Sequence, residues 1–404
     1  MEPSPGLSAG NGHRADLDAG RKPTDPIRIL SLDGGGIRGV MTARVLVELE
    51  RLSGRPIAGL FDIIAGTSTG GLIALGVTKP GGDGKPALTA QEVFDIYVSH
   101  GRRIFPRVVW RPIRLDRLRA SRPILAQRLG ALAQPARYGN ARYLSVGLRA
   151  LLDEMLGTTR LAEAMADVIV PSYDWKAGRA VVFRSRGARN GDKINPTMVQ
   201  VALATTAAPT YFPAFRLRDP TRELVLIDGG VAANNPTSVA YYEALYHAHF
   251  AGRIDPDFLV VSLGTGRPPE DIPTYQQLWS RNWLRMGMGM LGVIFDGTSE
   301  IVDELITEVI RPKQPASRYW RLNTDLRGVR LNLDDASPRQ IEKLVGLAEQ
   351  MIADRQDDLS EMVRLLTETR TAAAHADQHS PGTPAAEPGS ARRSARSRRP
   401  RSKG

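Results

Sequence analysis

Ser68 lies in the stretch Gly66-Thr67-Ser68-Thr69-Gly70, where glycines stand two residues to either side of the serine. This G-x-S-x-G spacing is typical of a nucleophile elbow, a sharp strand-to-helix turn that exposes the serine hydroxyl. Gly66 and Gly70 have no side chains at the point where the two backbones nearly touch. Apolar runs precede and follow the turn, as a buried strand and a buried helix require. We therefore predict that Ser68 is a nucleophile.

A glycine-rich turn, Asp33-Gly34-Gly35-Gly36-Ile37-Arg38-Gly39, comes earlier, between a predicted strand and an amphipathic helix. Successive backbone N–H groups beside a helix N-terminus form an anion site. The anion could be a phosphate, or the oxyanion that forms when a serine attacks an ester. The P-loop Gly-Lys-Ser/Thr is absent, and only Gly34, Gly36 and Gly39 fit the dinucleotide-binding spacing. Because a nucleophile elbow follows about thirty residues later, the oxyanion interpretation is favoured.

Asp228 is the strongest candidate for the base that removes the proton of the Ser68 hydroxyl. It ends an apolar run and is followed by Gly229 and Gly230, so it is predicted to lie at the carboxyl end of a strand. An aspartate is a weak base in water, but partial desolvation beside the serine, together with strong oxyanion stabilisation, makes a two-residue arrangement workable.

The alternative base is a histidine, as in a Ser-His-Asp arrangement. Of the six histidines in the chain, His247 and His249 follow Asp228 and would reproduce the order of such triads. Both fall late in a predicted helix that reaches about Phe250, however, rather than on a loop that leaves a strand. Asp228 is therefore the preferred base.

The elements that must position these residues alternate between strands and helices. Strands are predicted at 27–32, 60–64, 180–183, 224–231 and 258–263, and helices begin near residues 39, 72, 89, 197 and 237. This order predicts an α/β fold with a mainly parallel sheet covered on both faces. Ligands of such sheets bind at the carboxyl ends of the strands, where Asp33, Ser68 and Asp228 are all expected.

Composition divides the 404-residue chain into three parts. Residues 1–26 are polar, rich in glycine, proline and aspartate, and lack the apolar core of a secretory signal, so a disordered leader is predicted. Residues 27–370 are predicted to form one catalytic domain that ends in a helix at about 337–369. Residues 371–404 are rich in Ala, Pro, Ser and Arg and are predicted to form a disordered basic tail.

The chain contains no cysteine, which excludes disulfides and thiolate metal sites and agrees with a reducing compartment. No run of about 18 apolar residues occurs, so no membrane-spanning helix is expected. We therefore predict a cytoplasmic protein whose association with a membrane, if any, is peripheral.

The net charge of +11 is confined to two segments. Residues 101–150 contain twelve arginines and one acid, and residues 371–404 contain seven basic and two acidic side chains. In the first segment, apolar side chains interleave with arginines, which suits contact with an anionic membrane surface through Arg107, Arg111, Arg114 and Trp110. The alternative is a solvated surface, because three prolines interrupt any long amphipathic helix there. Few stacking aromatics are present, so no specific nucleic-acid binding is expected.

The three motifs at 33–39, 66–70 and 228–230, in that order, resemble the signatures of the patatin-like phospholipases. The resemblance extends from about residue 27 to residue 266. It implies a three-layer α/β/α fold and hydrolysis of fatty-acyl esters in phospholipids or related lipids without a metal or another cofactor. The site residues that it implies are a Ser68–Asp228 dyad, with motif glycines Gly66, Gly70 and Gly229, and an oxyanion hole from Gly34, Gly35 and Gly36 with Arg38 adjacent.

The leading hypothesis is therefore a lipid acyl hydrolase that works through an acyl-enzyme on Ser68. One alternative is a Ser-His-Asp esterase that acts on small soluble esters. A second keeps the fold as a binding or regulatory module whose basic segments dock on a membrane or nucleic acid. Some bacterial patatin-like proteins are antiviral effectors that cyclic oligonucleotides activate. If this protein is such an effector, its arginine-rich segment is a candidate binding site for the nucleotide.

Overall fold

The computed structural model describes residues 25–105, 143, 145–191, 194–219, 222–268, 283–310, 317–329 and 332–377. Most of the predicted leader and basic tail lies outside these ranges, as do Arg107, Trp110, Arg111 and Arg114. The membrane contact predicted for those four residues therefore stays a prediction.

Eight strands of the described chain form one sheet. They are β1 Ile27–Leu32, β2 Ile63–Gly66, β3 Asp167–Asp174, β4 Arg179–Arg184, β5 Phe215–Asp219, β6 Arg222–Asp228, β7 Phe258–Leu263 and β8 Arg318–Leu322. The strand order is β5-β6-β3-β2-β1-β7-β8, and β4 pairs with β3. β1, β2 and β7 are buried along their whole length, as expected of strands that are covered on both faces.

The strands β3, β2, β1, β7 and β8 pair in parallel, and β4, β5 and β6 are added to them by antiparallel pairing. The predicted α/β fold is confirmed, but the sheet is mixed. Four residues join β3 to β4 and two join β5 to β6, which is too short for the crossover that parallel neighbours need. Short connections thus explain both antiparallel hairpins.

The strands β2 and β6 lie along the same edge of β3 and run toward each other. Ile169 of β3 pairs with β2 on one side and with β4 on the other, so β2 lies opposite β4. Ser172 pairs with β6 and with β4 in the same way, so β6 also lies opposite β4. β2 is parallel to β3 and β6 is antiparallel to it, so the carboxyl ends of β2 and β6 meet beside the middle of β3.

Helices cover both faces of the sheet. Their bounds are α1 Gly39–Ser53, α2 Ile57–Leu60, α3 Thr69–Thr78, α4 Ala90–Ile104, α5 Val146–Leu156, α6 Ser185–Arg189, α7 Met198–Thr205, α8 Gly230–Ala233, α9 Thr237–Phe250, α10 Trp283–Ile310, α11 Pro338–Asp354 and α12 Gln356–Asp377. A large apolar cluster packs α1, α3, α4, α5, α7, α11 and α12 on one face, and a smaller one packs α9 and α10 on the other. The predicted three-layer arrangement is confirmed.

Two of the helices near the nucleophile begin with a reciprocal capping box. The Thr89 hydroxyl accepts from the backbone N–H of Glu92, whose carboxylate accepts from the backbone N–H of Thr89. Thr197 and Gln200 form the same arrangement at the start of α7. Each box satisfies backbone donors that the first helical turn leaves free, and so fixes where α4 and α7 begin.

The carboxyl-terminal part differs from the single helix predicted at about 337–369. α11 ends at Asp354, Arg355 leaves the helical conformation with φ −118° and ψ 26°, and α12 runs on to Asp377. Beyond this break, buried apolar residues of α12, including Leu359 and Leu366, join the main core. No helix in the described parts of the chain has the length and apolar character needed to cross a bilayer.

Candidate active site

Ser68 occupies the turn between β2 and α3, with φ 53° and ψ −118°. A non-glycine residue rarely adopts this backbone conformation, which persists only where the surrounding structure holds it. The two glycines of the motif lie where backbones pass closely: a Cβ at Gly66 would clash with the Gly70 carbonyl, and a Cβ at Gly70 would clash with the Leu32 carbonyl. The local geometry is therefore that of the nucleophile elbow expected from the sequence.

The Ser68 hydroxyl donates a hydrogen bond of 2.6 Å to Oδ2 of Asp228. The other carboxylate oxygen, Oδ1, accepts the backbone N–H of Gly230 at 2.7 Å. Asp228 is completely buried at the end of β6. Its burial raises the pKa of the carboxyl group to about 7, and the hydrogen bonds from Ser68 and Gly230 oppose that shift. A carboxylate with such a pKa is a far better proton acceptor near neutral pH than an exposed aspartate.

The glycine-rich turn passes beside Ser68: a Cβ at Gly34 would lie 3.3 Å from the Ser68 Cβ. The N–H of Gly34 is already engaged, because it donates to the Asn234 carbonyl at 3.1 Å. The amide groups of Gly35 and Gly36 donate to no acceptor among the described residues. The donors available for an oxyanion in this turn are therefore those of Gly35 and Gly36, and Gly34, which the sequence grouped with them, supports the turn instead.

Arg38 contacts the glycine-rich turn through its side chain. Its side chain is buried, and Nε donates to the Gly35 carbonyl at 3.4 Å. Burial lowers the pKa of the guanidinium group, whereas the nearby carboxylates of Asp296 and Asp33 oppose that change. The arrangement suits a residue that supports the turn from behind.

A narrow apolar cavity of about 40 Å³ opens over Ser68 and Asp228. It is lined by Gly36, Ser68, Thr69, Leu72, Tyr97, Ile104, Phe105, Leu148, Thr206, Ala208, Tyr211, Phe212, Asp228, Phe295 and Leu333. Phe105, Phe212 and Tyr143 pack together at this wall, with ring centroids 5.7–6.0 Å apart. Phe105 and Tyr143 both belong to the arginine-rich residues 101–150, and of the two only Phe105 lines the cavity itself.

The two histidines considered as alternative bases are not near Ser68. Both belong to α9, which packs on the face of the sheet opposite α3. His247 Nε2 lies 3.0 Å from the Glu243 carboxylate, and the His249 ring meets Phe250 edge-on. No histidine of the described chain lines the cavity. The structure therefore brings Ser68 to Asp228 and to neither histidine.

A buried ion pair that the sequence did not indicate anchors the start of the glycine-rich turn. Arg321 of β8 contacts both carboxylate oxygens of Asp33, at 2.9 and 2.5 Å, and also donates to the Ser262 hydroxyl at 2.9 Å. The Asp33 side chain is 3% exposed and that of Arg321 is 12% exposed. Burial raises the pKa of Asp33, and the Arg321 guanidinium opposes this shift. Asp33 thus has a structural partner behind the site.

We expect Arg321→Met to destabilise the fold by about 3–5 kcal/mol, because it leaves the buried Asp33 carboxylate uncompensated. Urea unfolding at neutral pH measures this effect. The loss should shrink as the pH falls, because protonation of Asp33 removes the unpaired charge. As a matched control, Arg364→Met removes an exposed pair with Glu368 and should cost less than about 1 kcal/mol. Equal costs for the two variants would contradict the role given to Asp33.

A second, polar cavity of about 220 Å³ lies beyond the turn and is lined by residues that include Asp33, Asn234, Asp296 and Arg321. Among the described residues, no group of three or more His, Asp or Glu side chains is placed to hold a metal ion.

Comparison with known proteins gives a consistent result. The family model for patatin-like phospholipases matches residues 30–241. Patatin-like protein 1 of Oryza sativa subsp. indica is 32% identical over 383 residues, which cover 88% of each chain. Patatin-like protein 2 of Arabidopsis thaliana is 31% identical over 83% of this chain and 86% of its own. Among solved structures, VipD from Legionella pneumophila aligns over 88% of this chain and 72% of its own, with a TM-score of 0.37 and 12% identity.

Proposed function

Since the chain belongs to the patatin-like phospholipase family, a family of lipid hydrolases, we propose that it cleaves fatty-acyl esters of phospholipids or related lipids with a Ser68–Asp228 dyad. The observation that carries this proposal is the 2.6 Å hydrogen bond from the Ser68 hydroxyl to the buried Asp228 carboxylate. That pair faces an apolar cavity suited to the start of an acyl chain.

In the first half of the proposed reaction, Ser68 Oγ attacks the ester carbonyl and its proton passes to Asp228 Oδ2. The backbone N–H groups of Gly35 and Gly36 stabilise the negative oxygen of the tetrahedral intermediate. When the intermediate collapses, the bond to the alcohol oxygen breaks, and the alcohol leaves with the proton from Asp228. The fatty-acyl group stays on Ser68 as an ester.

In the second half, water attacks the acyl-enzyme, and Asp228 accepts one of its protons. Collapse of the second tetrahedral intermediate releases the fatty acid and returns the proton to Ser68 Oγ. Both halves require Asp228 as a carboxylate in the resting enzyme. Apart from the ester substrate and water, every group in this scheme belongs to the chain.

The proposed role of Asp228 predicts how the rate depends on pH. Because its pKa is raised to about 7, the active carboxylate is the major form of the free enzyme only above that pH. We expect kcat/KM for a neutral chromogenic ester to rise with pH, with an apparent pKa of about 7, and then to level off. Initial rates across about pH 5 to pH 9 test this expectation. Full activity at the acid end would show that a different group removes the proton.

Fatty-acid release from phospholipid vesicles is the experiment that tests the proposed function. Zwitterionic vesicles, vesicles with added anionic lipid and a water-soluble chromogenic ester form the substrate set. Release from vesicles supports a lipid acyl hydrolase, whereas cleavage of the soluble ester alone would indicate a small-ester esterase. If neither is cleaved, the proposal fails.

We also propose that the protein contacts anionic membranes peripherally through the arginine-rich residues 101–150. Support comes from the twelve arginines of that stretch and from two of its aromatic residues, Phe105, which lines the cavity, and Tyr143, which packs against Phe105. In the vesicle assay, added anionic lipid should raise the rate, and salt should reduce that gain by screening the arginines. A rate that changes with neither anionic lipid nor salt would show that the arginines do not bind the membrane surface.

A further inference from the structure

The backbone N–H of Ser68 donates to a side chain rather than to the main chain. Its acceptor is the Thr205 hydroxyl, at 2.9 Å, and this hydroxyl in turn donates to the Pro171 carbonyl at 2.7 Å. Thr205 is the last residue of α7 and is completely buried. Its hydroxyl therefore ties the nucleophile turn to β3.

The hydrogen bond to Thr205 restrains the backbone N–H of Ser68, the residue with the strained conformation. The Ser68 carbonyl accepts from Leu72 in the first turn of α3 at 3.1 Å, which fixes the side of the residue that leads into the helix. The amide side is fixed by Thr205. Because φ 53° is unfavourable for a serine, loss of either restraint lets the backbone relax and moves Oγ relative to Asp228.

The same short segment also holds the Asp228 turn. The Thr205 carbonyl accepts the N–H of Gly229 at 3.4 Å, and the Ala207 carbonyl accepts the N–H of Asp228 at 3.0 Å. Residues 205–207 thus contact the serine through a hydroxyl and the aspartate turn through two carbonyls. A single rigid segment thereby sets the distance between the two reacting groups.

We propose that Thr205 is a positioning residue that aligns Ser68 with Asp228, so that it affects the chemical step rather than substrate binding. The inference rests on the proposed function, because it assumes that Ser68 is the nucleophile. Thr205 lies behind the turn and is not among the residues that line the cavity. Removal of its hydroxyl should therefore lower kcat and leave KM nearly unchanged.

The test compares Thr205→Val, which keeps the shape but removes the hydroxyl, with Thr205→Ser, which keeps the hydroxyl. With a chromogenic ester, we expect Thr205→Val to lower kcat by at least about tenfold and to change KM by less than about threefold. Thr205→Ser should stay within about threefold of the wild-type kcat. The matched control is Thr78→Val, since Thr78 is equally buried but its hydroxyl bonds only within α3, to Ala74 and Leu75.

Thermal unfolding of each variant separates a loss of folding from a loss of alignment. If Thr205→Val does not fold, Thr205→Ala replaces it in the comparison with Thr205→Ser. Equal kcat values with and without the hydroxyl would overturn the inference, as would a loss confined to KM. An inactive wild type would refute the proposed function itself, and failure of a fluorophosphonate to label Ser68 would show that this serine is not the nucleophile. Wild-type activity without a Thr205 effect would refute only the inference.

Discussion

Ser68→Ala is expected to lower kcat for ester hydrolysis by at least about 10⁴-fold, because no covalent intermediate can form without the hydroxyl. Asp228→Asn should cause a loss of similar size, since an amide cannot accept the serine proton. The kcat of the double variant should be at most about tenfold lower than that of the less active single variant, because the two groups act in the same step. Steady-state rates on vesicles and on a chromogenic ester measure all three.

Ser360→Ala is the matched control for Ser68→Ala. Ser360 is exposed on α12, and its hydroxyl bonds only to the Gln356 carbonyl one turn earlier. Its replacement should leave the rate unchanged. Activity that survives in Ser68→Ala at more than a few per cent would show that the chemistry belongs to another residue.

Asp228→Asn should make the folded protein more stable at alkaline pH even as it abolishes activity. The raised pKa of Asp228, about 7 against an ordinary value of 3.8, means that ionisation of this buried group opposes folding. A shift of that size corresponds to at most about 4 kcal/mol. Asparagine has the same shape, carries no charge and can still accept the Gly230 N–H. We expect a gain of about 1–3 kcal/mol at pH 8 by urea unfolding.

The folded wild type holds the Asp228 proton up to a higher pH than the unfolded chain does, and this difference sets how its stability changes with pH. An aspartate with a raised pKa contributes its full stability below the unfolded pKa, near 4, and loses that contribution as the pH rises to about 7. The advantage of the asparagine variant should therefore grow between about pH 4 and pH 7 and stay constant above that range. Asp95→Asn, at an exposed position of α4, should change stability by less than about 0.5 kcal/mol at either pH. A destabilised Asp228→Asn at pH 8 would contradict the burial argument.

Local patterns in the sequence were enough to predict the parts of the site that are encoded within a few residues. The glycine spacing around Ser68 predicted the strained turn, because close backbone approach leaves a compositional trace. The helices after Thr89 and Thr197 begin close to their predicted starts, and the capping boxes that the structure shows there span only four residues each.

Features that depend on distant partners could not be read in the same way. Arg321 and Thr205 look like any arginine in a strand and any threonine at a helix end, and their importance comes from Asp33 and Ser68, far away in the chain. The direction of β6 was also missed, because the apolar run that ends at Asp228 is the same for a parallel and an antiparallel strand. Likewise, the break at Arg355 has no glycine or proline to mark it.

The candidate oxyanion donors show the same limit within a single short turn. The sequence treats Gly34, Gly35 and Gly36 as equivalent, since each offers a backbone N–H. In the structure, the Gly34 N–H donates to the Asn234 carbonyl, so it is not available to an oxyanion. This bond joins two backbone groups two hundred residues apart in the chain, and every residue has a backbone carbonyl, so the sequence does not reveal it.

The head-on meeting of β2 and β6 along β3 has a consequence for the cell that makes this protein. β2 and β6 do not pair with each other, and each pairs with β3, so Ser68 and Asp228 cannot align before the ribosome has delivered all three strands. A nascent or truncated chain that stops short of β6 carries the serine but no base. Under the proposed mechanism, ester hydrolysis cannot begin until most of the sheet has assembled.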